Sequence, residues 1–290
     1  MKVLVTGATG FIGRHLIKSL IGEHQLFCLA RKKGRSEHHI QWIRQDFSSP
    51  LDTSVLPTEI DVIIHLAQSE HYREFPERSR EIFKVNIEST LSLLEYGRTI
   101  GIKKFVYASS GGIYGYSYEK FIETDMINPV NFYLTSKYCS ELIIANYNKF
   151  FQTVILRFFF VYGKGQKRML VPRMISQINQ GLPTVIYGRD GIKINPIYVD
   201  DTIKVFDPIL REPITGVFNI AGHEIISIRE LAVLIGVLVG REPNFVYEKD
   251  THLGDIIGDN SRMKSVLGVM PRISLKEGIT FMIDESENGE

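Results

Sequence analysis

The sequence has no apolar run long enough to cross a membrane. The longest, LAVLIGVLVG at residues 231–240, is about half the length of the roughly 20 residues that a transmembrane helix requires. Ser227 and Glu230 precede this run with the spacing of a capping box, which predicts a buried helix of a soluble protein. The first apolar segment is a β-type run that ends in glycine turns, unlike a signal peptide. We therefore expect no membrane partner.

Cysteine is scarce, and neither sign of charge predominates. The two cysteines, Cys28 and Cys139, cannot form a disulfide framework, which favours a reducing, cytoplasmic location. Lys and Arg number 34 and Asp and Glu 33, for a formal net charge of +1, so nothing indicates a nucleic-acid partner. The eight histidines and two cysteines lack metal-ligand spacing, so we expect no metal site.

Short apolar runs alternate with helix-length amphipathic stretches through the first 160 residues. Because parallel strands need long crossovers, this alternation predicts an α/β fold with a Rossmann-like, doubly wound parallel sheet. The predicted helices lie near 11–22, 77–100 and 132–150. The predicted strands are KVLVT (2–6), QLFCLA (25–30), IQWIRQ (40–45), DVIIHLA (61–67), KKFVYASS (103–110) and TVILRFF (153–159).

The pattern changes after VYGKGQ (161–166), where a polar loop is followed by an amphipathic helix, turn signals and the capped helix described above. This change predicts a smaller C-terminal lobe. We expect the Rossmann-like domain to comprise residues 1–163, with 197–222 returning to it. The lobe would then comprise residues 164–196 and 223–290.

Three glycines at a spacing of three follow the first predicted strand and open the first predicted helix. Gly7, Gly10 and Gly13 form the pattern G-x-x-G-x-x-G, rather than the commoner G-x-G-x-x-G. Such glycines allow a tight turn and remove the Cβ atoms that would block a pyrophosphate, which the helix N-terminus attracts. A plain strand–helix turn is the alternative. The position after the first strand favours a dinucleotide site.

The end of the second predicted strand carries a basic residue at the position where an acidic residue would bind the 2′-hydroxyl of NAD. The sequence CLARKKGR places Arg31 there, followed by Lys32, Lys33 and Arg35. A guanidinium suits the 2′-phosphate of NADP, so this pattern favours NADP and leaves NAD open. A solvated basic loop is the alternative. Asp46, after the third strand, is either a contact of the adenine edge or a turn residue.

Tyr133 and Lys137, in the stretch YLTSK, are four residues apart and project from one face of a helix. A phenol with a reference pKa of about 10 is a poor base at neutral pH. A neighbouring ammonium is expected to lower that pKa and to make the phenol a usable acid/base. Ser110 ends a predicted central strand, where it could bridge a substrate oxygen to the phenol. His65, at the end of a buried strand, is expected to be structural.

Taken together, these motifs make the chain resemble an extended short-chain dehydrogenase/reductase of the sugar-nucleotide epimerase/dehydratase type. The resemblance covers nearly the whole sequence. It is carried by TGATGFIG (6–13), HLA (65–67), Asn86 in KVNIEST, YASSGGIYG (107–115), YLTSK (133–137), LRFFFVYGKGQ (156–166), YVDD (198–201) and SIREL (227–231).

The resemblance implies an NAD(P)-dependent hydride transfer, with a Rossmann-like domain for the cofactor and a smaller lobe for a sugar substrate. It implies that Tyr133 is the acid/base, that Lys137 holds the nicotinamide ribose and that Ser110 contacts the reacting oxygen. Homodimers through the helices near 80–100 and 133–150 are also implied. The expected cofactor contacts are Gly7, Gly10, Phe11, Ile12, Gly13, Arg31, Asp46, Phe47, Leu66, Ala67, Asn86, Tyr133 and Lys137.

The residues after Ser110 narrow the reaction. Dehydratases of this family carry an Asp-Glu pair, or at least a Glu, there, whereas this chain has Gly111 and Gly112. The absence of these carboxylates argues against elimination of water, because that reaction needs an acid and a base at this place. A Gly-Gly pair here resembles the 4-epimerases of the family. An NADPH-dependent ketoreductase of a keto-deoxysugar is the alternative, which Arg31 favours. A non-catalytic NADP sensor is a further alternative, but it would not need the acid/base residues.

The substrate side departs from the family pattern. Phe160, Asn195 and His252 occupy positions where family members carry an asparagine and two arginines that grip the diphosphate. These three changes weaken the expectation of a standard nucleotide-diphosphate sugar. We nevertheless expect an activated, nucleotide-linked sugar, contacted by these three residues together with Ser110 and Gly111.

Overall fold

The computed structural model describes residues 1–32, 34, 38–249 and 254–288, with side chains up to residue 285. It has two compact units. The first is Met1–Ile113, Ile127–Arg157 and Phe206–Phe218, and the second is Tyr114–Met126, Phe158–Val205 and Asn219–Glu290. The boundaries therefore differ from the expected ones in three places. Residues 114–126 and 158–163 belong to the second unit, and only 206–218, rather than 197–222, return to the first.

The sheet of the first unit confirms the predicted α/β class. Its strands are β1 Lys2–Thr6, β2 Gln25–Ala30, β3 Ile40–Arg44, β4 Val62–His65, β5 Lys104–Ser110 and β6 Gln152–Phe158. A further strand, Gly216–Ile220, was not predicted from the sequence and completes the seven-stranded sheet next to β6. The order of the first five strands is β5-β4-β1-β2-β3, and each adjacent pair is parallel.

The central strands are buried almost completely, as strands covered on both faces should be. Val3, Leu4 and Val5 of β1 and Ile63 and Ile64 of β4 have no exposed surface. Continuous apolar runs, rather than alternating ones, are the sequence signature of such strands. This explains why the boundaries predicted from the sequence lie within two residues of the observed ones.

Among the described residues of the first unit, four α-helices precede the return segment. They are α1 Phe11–Leu20, α2 Ser79–Phe83, α3 Ser89–Ile100 and α4 Phe132–Ala145. A π-helical turn at Lys84–Glu88 joins α2 to α3, so the single helix expected at 77–100 is interrupted. Gly101, with φ of 73°, ends α3 in the left-handed conformation that glycine favours. Asn131 caps α4, its side chain accepting a 2.9 Å hydrogen bond from the Leu134 N–H.

The second unit consists of short strand pairs and helices. The strand Gly216–Ile220 of the large sheet is β11 in chain order. The strands of the second unit are β7 Val161–Tyr162, β8 Pro183–Tyr187, β9 Lys193–Ile194, β10 Ile197–Tyr198, β12 Ile226–Ser227 and β13 Asn244–Glu248. They pair as β7 with β10, β8 with β13 and β9 with β12. The helices of the second unit are α5 Leu170–Asn179, α6 Val199–Ile203, α8 Ile228–Val239, α9 Ser261–Leu267 and α10 Leu275–Asn288. Helix α7, Phe206–Arg211, belongs to the first unit.

The capping box predicted before residues 231–240 is present. The Ser227 side chain accepts from the Glu230 N–H at 3.2 Å, and the Glu230 carboxylate accepts from the Ser227 N–H at 2.8 Å. Helix α8 follows and ends at Gly240, whose φ is 70°. Within the described ranges, no helix is long and apolar enough to span a bilayer.

Candidate active site

The glycine turn after β1 is folded tightly against the loop after β4. Gly7 has φ of 66°, and a Cβ atom there would lie 2.8 Å from the Ala67 nitrogen. A Cβ atom on Gly13 would lie 2.2 Å from the Gly7 carbonyl oxygen. Two of the three glycines are therefore required by the packing of the turn itself, and this holds before any ligand is considered.

The turn leads into the N-terminus of α1, and this terminus suits an anion. The N-cap residue, Gly10, has no side chain, no described side chain caps the helix, and its first turn has no acidic residue. The backbone N–H groups of Phe11 and Ile12 lie in this first turn, at the positive end of the helix dipole. A glycine cradle with an uncapped helix N-terminus fits the pyrophosphate of a dinucleotide.

His65 lies behind this cradle as a neutral, structural residue. The Thr6 hydroxyl is 2.7 Å from its Nδ1 and the Thr90 hydroxyl 3.1 Å from its Nε2. Burial lowers the pKa of His65 to about 3, with a smaller contribution from Lys137. The Thr6 hydroxyl also accepts a 3.2 Å hydrogen bond from the Ala67 N–H. This network holds the loop that begins with Leu66 and Ala67 beside the end of β1.

Asp46 and Phe47 follow β3 and have local partners. The Asp46 carboxylate accepts a 2.9 Å hydrogen bond from the Ser48 N–H, the geometry of an Asx turn. The structure thus shows the turn role that was one of the two alternatives for Asp46. Phe47 is buried, with its ring 6.1 Å from that of His65. A contact of either residue with the cofactor stays a prediction.

Arg31, directly after β2, forms an ion pair with a carboxylate that no sequence motif marks. Its two terminal nitrogens donate to the two carboxylate oxygens of Glu70, at 2.7 and 3.0 Å. The hydrogen bond to Glu70 is the main cause of the raised pKa of Arg31. Lys33 and Arg35 lie outside the described residues.

Asn86 is in the π-helical turn and joins the loop after β4 to helix α4. Its Oδ1 accepts from the Ser69 N–H at 2.8 Å, and its Nδ2 donates to the Ser136 hydroxyl at 2.8 Å. The Ser140 hydroxyl donates to the Asn86 carbonyl oxygen at 2.9 Å. Asn86 is buried, so in this structure it is a positioning residue. Its contact with the cofactor stays a prediction.

Lys137 is buried on α4 and anchored to β5. Its Nζ donates a 2.8 Å hydrogen bond to the Ala108 carbonyl oxygen and lies 4.9 Å from the centre of the Tyr107 ring. Burial lowers the pKa of Lys137 to about 7, while the charge of Glu141 opposes this effect. The amino group can therefore change protonation near neutral pH.

Tyr133 lies one turn before Lys137, whose Nζ is 6.0 Å from the centre of the Tyr133 ring. The Tyr133 hydroxyl donates to the Gln68 side-chain oxygen at 2.8 Å, and the Tyr72 ring is 4.9 Å away. Burial raises the pKa of Tyr133, and Tyr72 adds to this. The phenol pKa is therefore raised in this structure, where the sequence predicted that Lys137 would lower it, and desolvation is the main cause.

Ser110 ends β5, and its hydroxyl accepts a 3.2 Å hydrogen bond from the Gly112 N–H. Gly111 and Gly112 form a 3₁₀ turn directly after the strand. A Cβ atom on Gly112 would come within 3.0 Å of the Leu134 side chain. The Gly-Gly pair therefore allows this turn to pack closely against α4. The pair also leaves the turn without the acidic side chains that dehydratases carry there.

A buried ion pair lies one turn beyond Lys137. Glu141 is bonded by the Arg157 guanidinium, with the shortest contact at 2.7 Å, and by the Ser109 hydroxyl. Both charged side chains are at most 6% exposed. The pair ties α4 to β5 and β6, and so helps to fix Tyr133 and Lys137. No motif identified it, because its members lie on different elements and no fixed spacing links them.

Two of the residues expected to contact substrate are in the described part of the second unit. Phe160 has φ of 45°, an uncommon conformation for a bulky residue. Asn195 is buried, donates to the carbonyl oxygens of Gly222 and Gly258 at 3.2 and 2.7 Å, and accepts from the Gly258 N–H at 3.0 Å. These bonds give Asn195 a structural role. His252 lies outside the described residues, and contact of all three with substrate stays a prediction.

No group of three or more His, Cys, Asp and Glu side chains in the described part of the chain could hold a metal ion.

Comparisons with known proteins give a consistent result. Residues 3–221 match the model of the NAD dependent epimerase/dehydratase family. The uncharacterized UDP-glucose epimerase YtcB of Bacillus subtilis (strain 168) is 31% identical over 310 residues, covering 97% of this chain and 96% of that protein. The human dTDP-D-glucose 4,6-dehydratase is 28% identical over 313 residues, covering 98% and 89%.

A solved structure is similar over the whole chain. It is the UDP-glucuronic acid 4-epimerase of Bacillus cereus in complex with UDP-glucuronic acid and NAD. Its TM-score is 0.90, its sequence is 28% identical, and the alignment covers 100% of both chains.

Proposed function

The chain belongs to the NAD-dependent epimerase/dehydratase family, and on that premise we propose that it is a 4-epimerase of a UDP-linked sugar. The observation that carries this proposal is the combination at the end of β5 and on α4. Tyr133 and Lys137 share a helix face, and two glycines follow Ser110 where a dehydratase needs carboxylates. The similar B. cereus enzyme, described with UDP-glucuronic acid and NAD, supports the same assignment.

In this function, the chain moves a proton at the Tyr133 hydroxyl oxygen. Bound NAD supplies the acceptor for the C4 hydride and a positive charge. Tyr133, as the phenolate, would take the proton of the C4 hydroxyl as the ketone forms, and, as the phenol, would return it when the ketone is reduced on the other face. Lys137, held by Ala108, provides a positive charge beside the phenol when it is protonated. Ser110 holds the reacting oxygen.

We propose NAD, rather than the NADP that the sequence favoured, as the cofactor. The guanidinium of Arg31, which suggested a 2′-phosphate, is occupied by Glu70. The similar B. cereus structure contains NAD. The ketoreductase alternative depended on Arg31, so it loses the observation that favoured it.

We also propose that the protein is a homodimer. Apolar side chains are exposed on the helical segments expected at the interface, with Phe83 48%, Leu91 43% and Leu142 51% exposed. Burying such side chains against a second copy would be favourable. Sedimentation equilibrium of the purified protein tests this proposal. A protein that stays monomeric at every concentration up to about 100 μM would contradict it.

The function is tested by incubating the purified protein with UDP-glucuronic acid and, separately, with UDP-glucose, and separating the C4 epimers of each. We expect interconversion of at least one pair, without net consumption of added nicotinamide cofactor. Tyr133→Phe serves as the inactive control. Net oxidation of NADPH with a keto sugar, and no epimer formed, would instead support the reductase.

A further inference from the structure

Arg31 and Glu70 approach each other from the two sides of the strand that carries the glycine turn. Arg31 follows β2, and Glu70 lies in the loop after β4. Strands β2 and β4 are the two neighbours of β1 in the sheet. The bidentate contact between the two side chains, at 2.7 and 3.0 Å, therefore joins the loops on either side of the cofactor cradle.

The surroundings of Arg31 are acidic. The hydrogen bond to Glu70 raises the pKa of Arg31 most, and the charges of Glu70, Asp46 and Glu81 add to this rise. Of these carboxylates, Glu81 also pairs with Arg78. An incoming 2′-phosphate, with close to two negative charges, would have to displace Glu70 from a bidentate arrangement and then approach the other two carboxylates.

We propose that Glu70 is a cofactor-specificity residue, which holds Arg31 and thereby makes the site accept NAD and reject NADP. In the usual fingerprint the discriminating carboxylate is at the end of the second strand, where this chain has Arg31. Glu70 supplies a carboxylate to the same place from the loop after β4. This inference rests on the proposed use of a nicotinamide cofactor.

The pair can be altered without harming the fold. Both side chains are more than half exposed, and exposed ion pairs contribute little to stability. Glu70→Gln is nearly isosteric, removes the negative charge opposite the guanidinium and leaves one acceptor oxygen in place of two. Glu74→Gln is a matched control, because Glu74 lies in the same loop and is equally exposed, but pairs with His71 and Arg78 instead of Arg31.

The experiment measures dissociation constants of NADH and NADPH by their own fluorescence, which does not depend on turnover. We expect Glu70→Gln to bind NADPH about tenfold more tightly than the wild type, the gain of roughly one charge-assisted hydrogen bond. NADH affinity should change by less than about threefold. The double variant Glu70→Gln with Arg31→Gln should lose the gain, and Glu74→Gln should show none.

Three results would overturn the inference. The first is unchanged NADPH affinity in Glu70→Gln when the wild type binds NADH. The second is an equal gain in Glu74→Gln, since that would indicate a general charge effect. The third is a gain that persists without Arg31. A wild-type protein that binds neither nucleotide would instead overturn the proposed function itself.

Discussion

The hydroxyl of Tyr133 donates a 2.8 Å hydrogen bond to the side-chain oxygen of Gln68. A neutral acceptor favours the protonated phenol, as burial also does. An amide can present either an acceptor or a donor. Gln68 can therefore serve the phenol in this structure and, after rotation of its amide, a phenolate during turnover. In this way Gln68 can hydrogen-bond Tyr133 in both protonation states, in addition to the positive charge that Lys137 provides.

Gln68→Glu should make Tyr133 harder to deprotonate. A carboxylate in place of the amide puts a negative charge within hydrogen-bond distance of the phenol, which disfavours the phenolate. We expect the low-pH limb of the kcat profile to move upward by about one pH unit. Gln68→Ala removes the hydrogen bond without adding charge and is the control. Coincident profiles for Gln68→Glu and Gln68→Ala would contradict this role of Gln68.

Tyr133→Phe should abolish epimerisation while leaving the fold and nucleotide binding intact. Loss of a positioned acid/base costs about 10²- to 10⁴-fold in rate. Tyr72→Phe is the matched control, because its ring lies 4.9 Å from that of Tyr133 and it also loses only a hydroxyl. Rates are measured with saturating substrate, and NADH affinity by fluorescence. Similar losses of rate in both variants would argue against a specific role for the Tyr133 hydroxyl.

Lys137 should make stability depend on pH. Its pKa is lowered to about 7 in the folded protein, whereas in the unfolded chain it is about 10. Between these values the unfolded chain binds more protons, so the free energy of unfolding should rise with pH, by up to about 1.4 kcal/mol per pH unit.

Lys137→Met provides the comparison for this effect. Urea unfolding of the cofactor-free wild type and variant at pH 7, 8 and 9, values within the window that the pKa shift defines, should show the rise in the wild type only. Parallel dependences in the two proteins would contradict a lowered pKa at Lys137.

The Glu141–Arg157 pair should be essential to the stability of the first unit. Glu141→Gln leaves a buried guanidinium without its counter-charge, which typically costs about 3–5 kcal/mol. Disruption of the exposed pair between Arg211 and Glu23 by Glu23→Gln should have a far smaller effect. Chemical denaturation of the three proteins measures the difference. Equal stability of Glu141→Gln and the wild type would show that the pair is dispensable.

Local sequence features were sufficient to predict much of the fold. The six predicted strands are short runs rich in apolar residues, and most of them are bounded by turn residues, so their positions are marked in the sequence. The capping box at Ser227 and Glu230 likewise depends on neighbouring residues only. Tyr133 and Lys137 could be paired because the spacing on one helix fixes their common face.

Features that depend on distant segments could not be predicted. Glu70 reaches Arg31 only because β4 and β2 flank β1, and no spacing in the sequence signals such a pair. The raised pKa of Tyr133 depends on burial created by the surrounding fold. The positive φ of Phe160 is equally hidden, because phenylalanine does not normally mark left-handed backbone.

The most direct test of the epimerase assignment uses UDP-glucuronic acid deuterated at C4, with UDP-glucose deuterated at C4 as the second substrate. The hydride is transferred and returned within one active site, so we predict that the C4 epimer keeps its deuterium in ordinary water and that no free reduced cofactor accumulates. An epimer that has lost the deuterium, or stoichiometric release of labelled NADH without epimer, would contradict transient oxidation at C4.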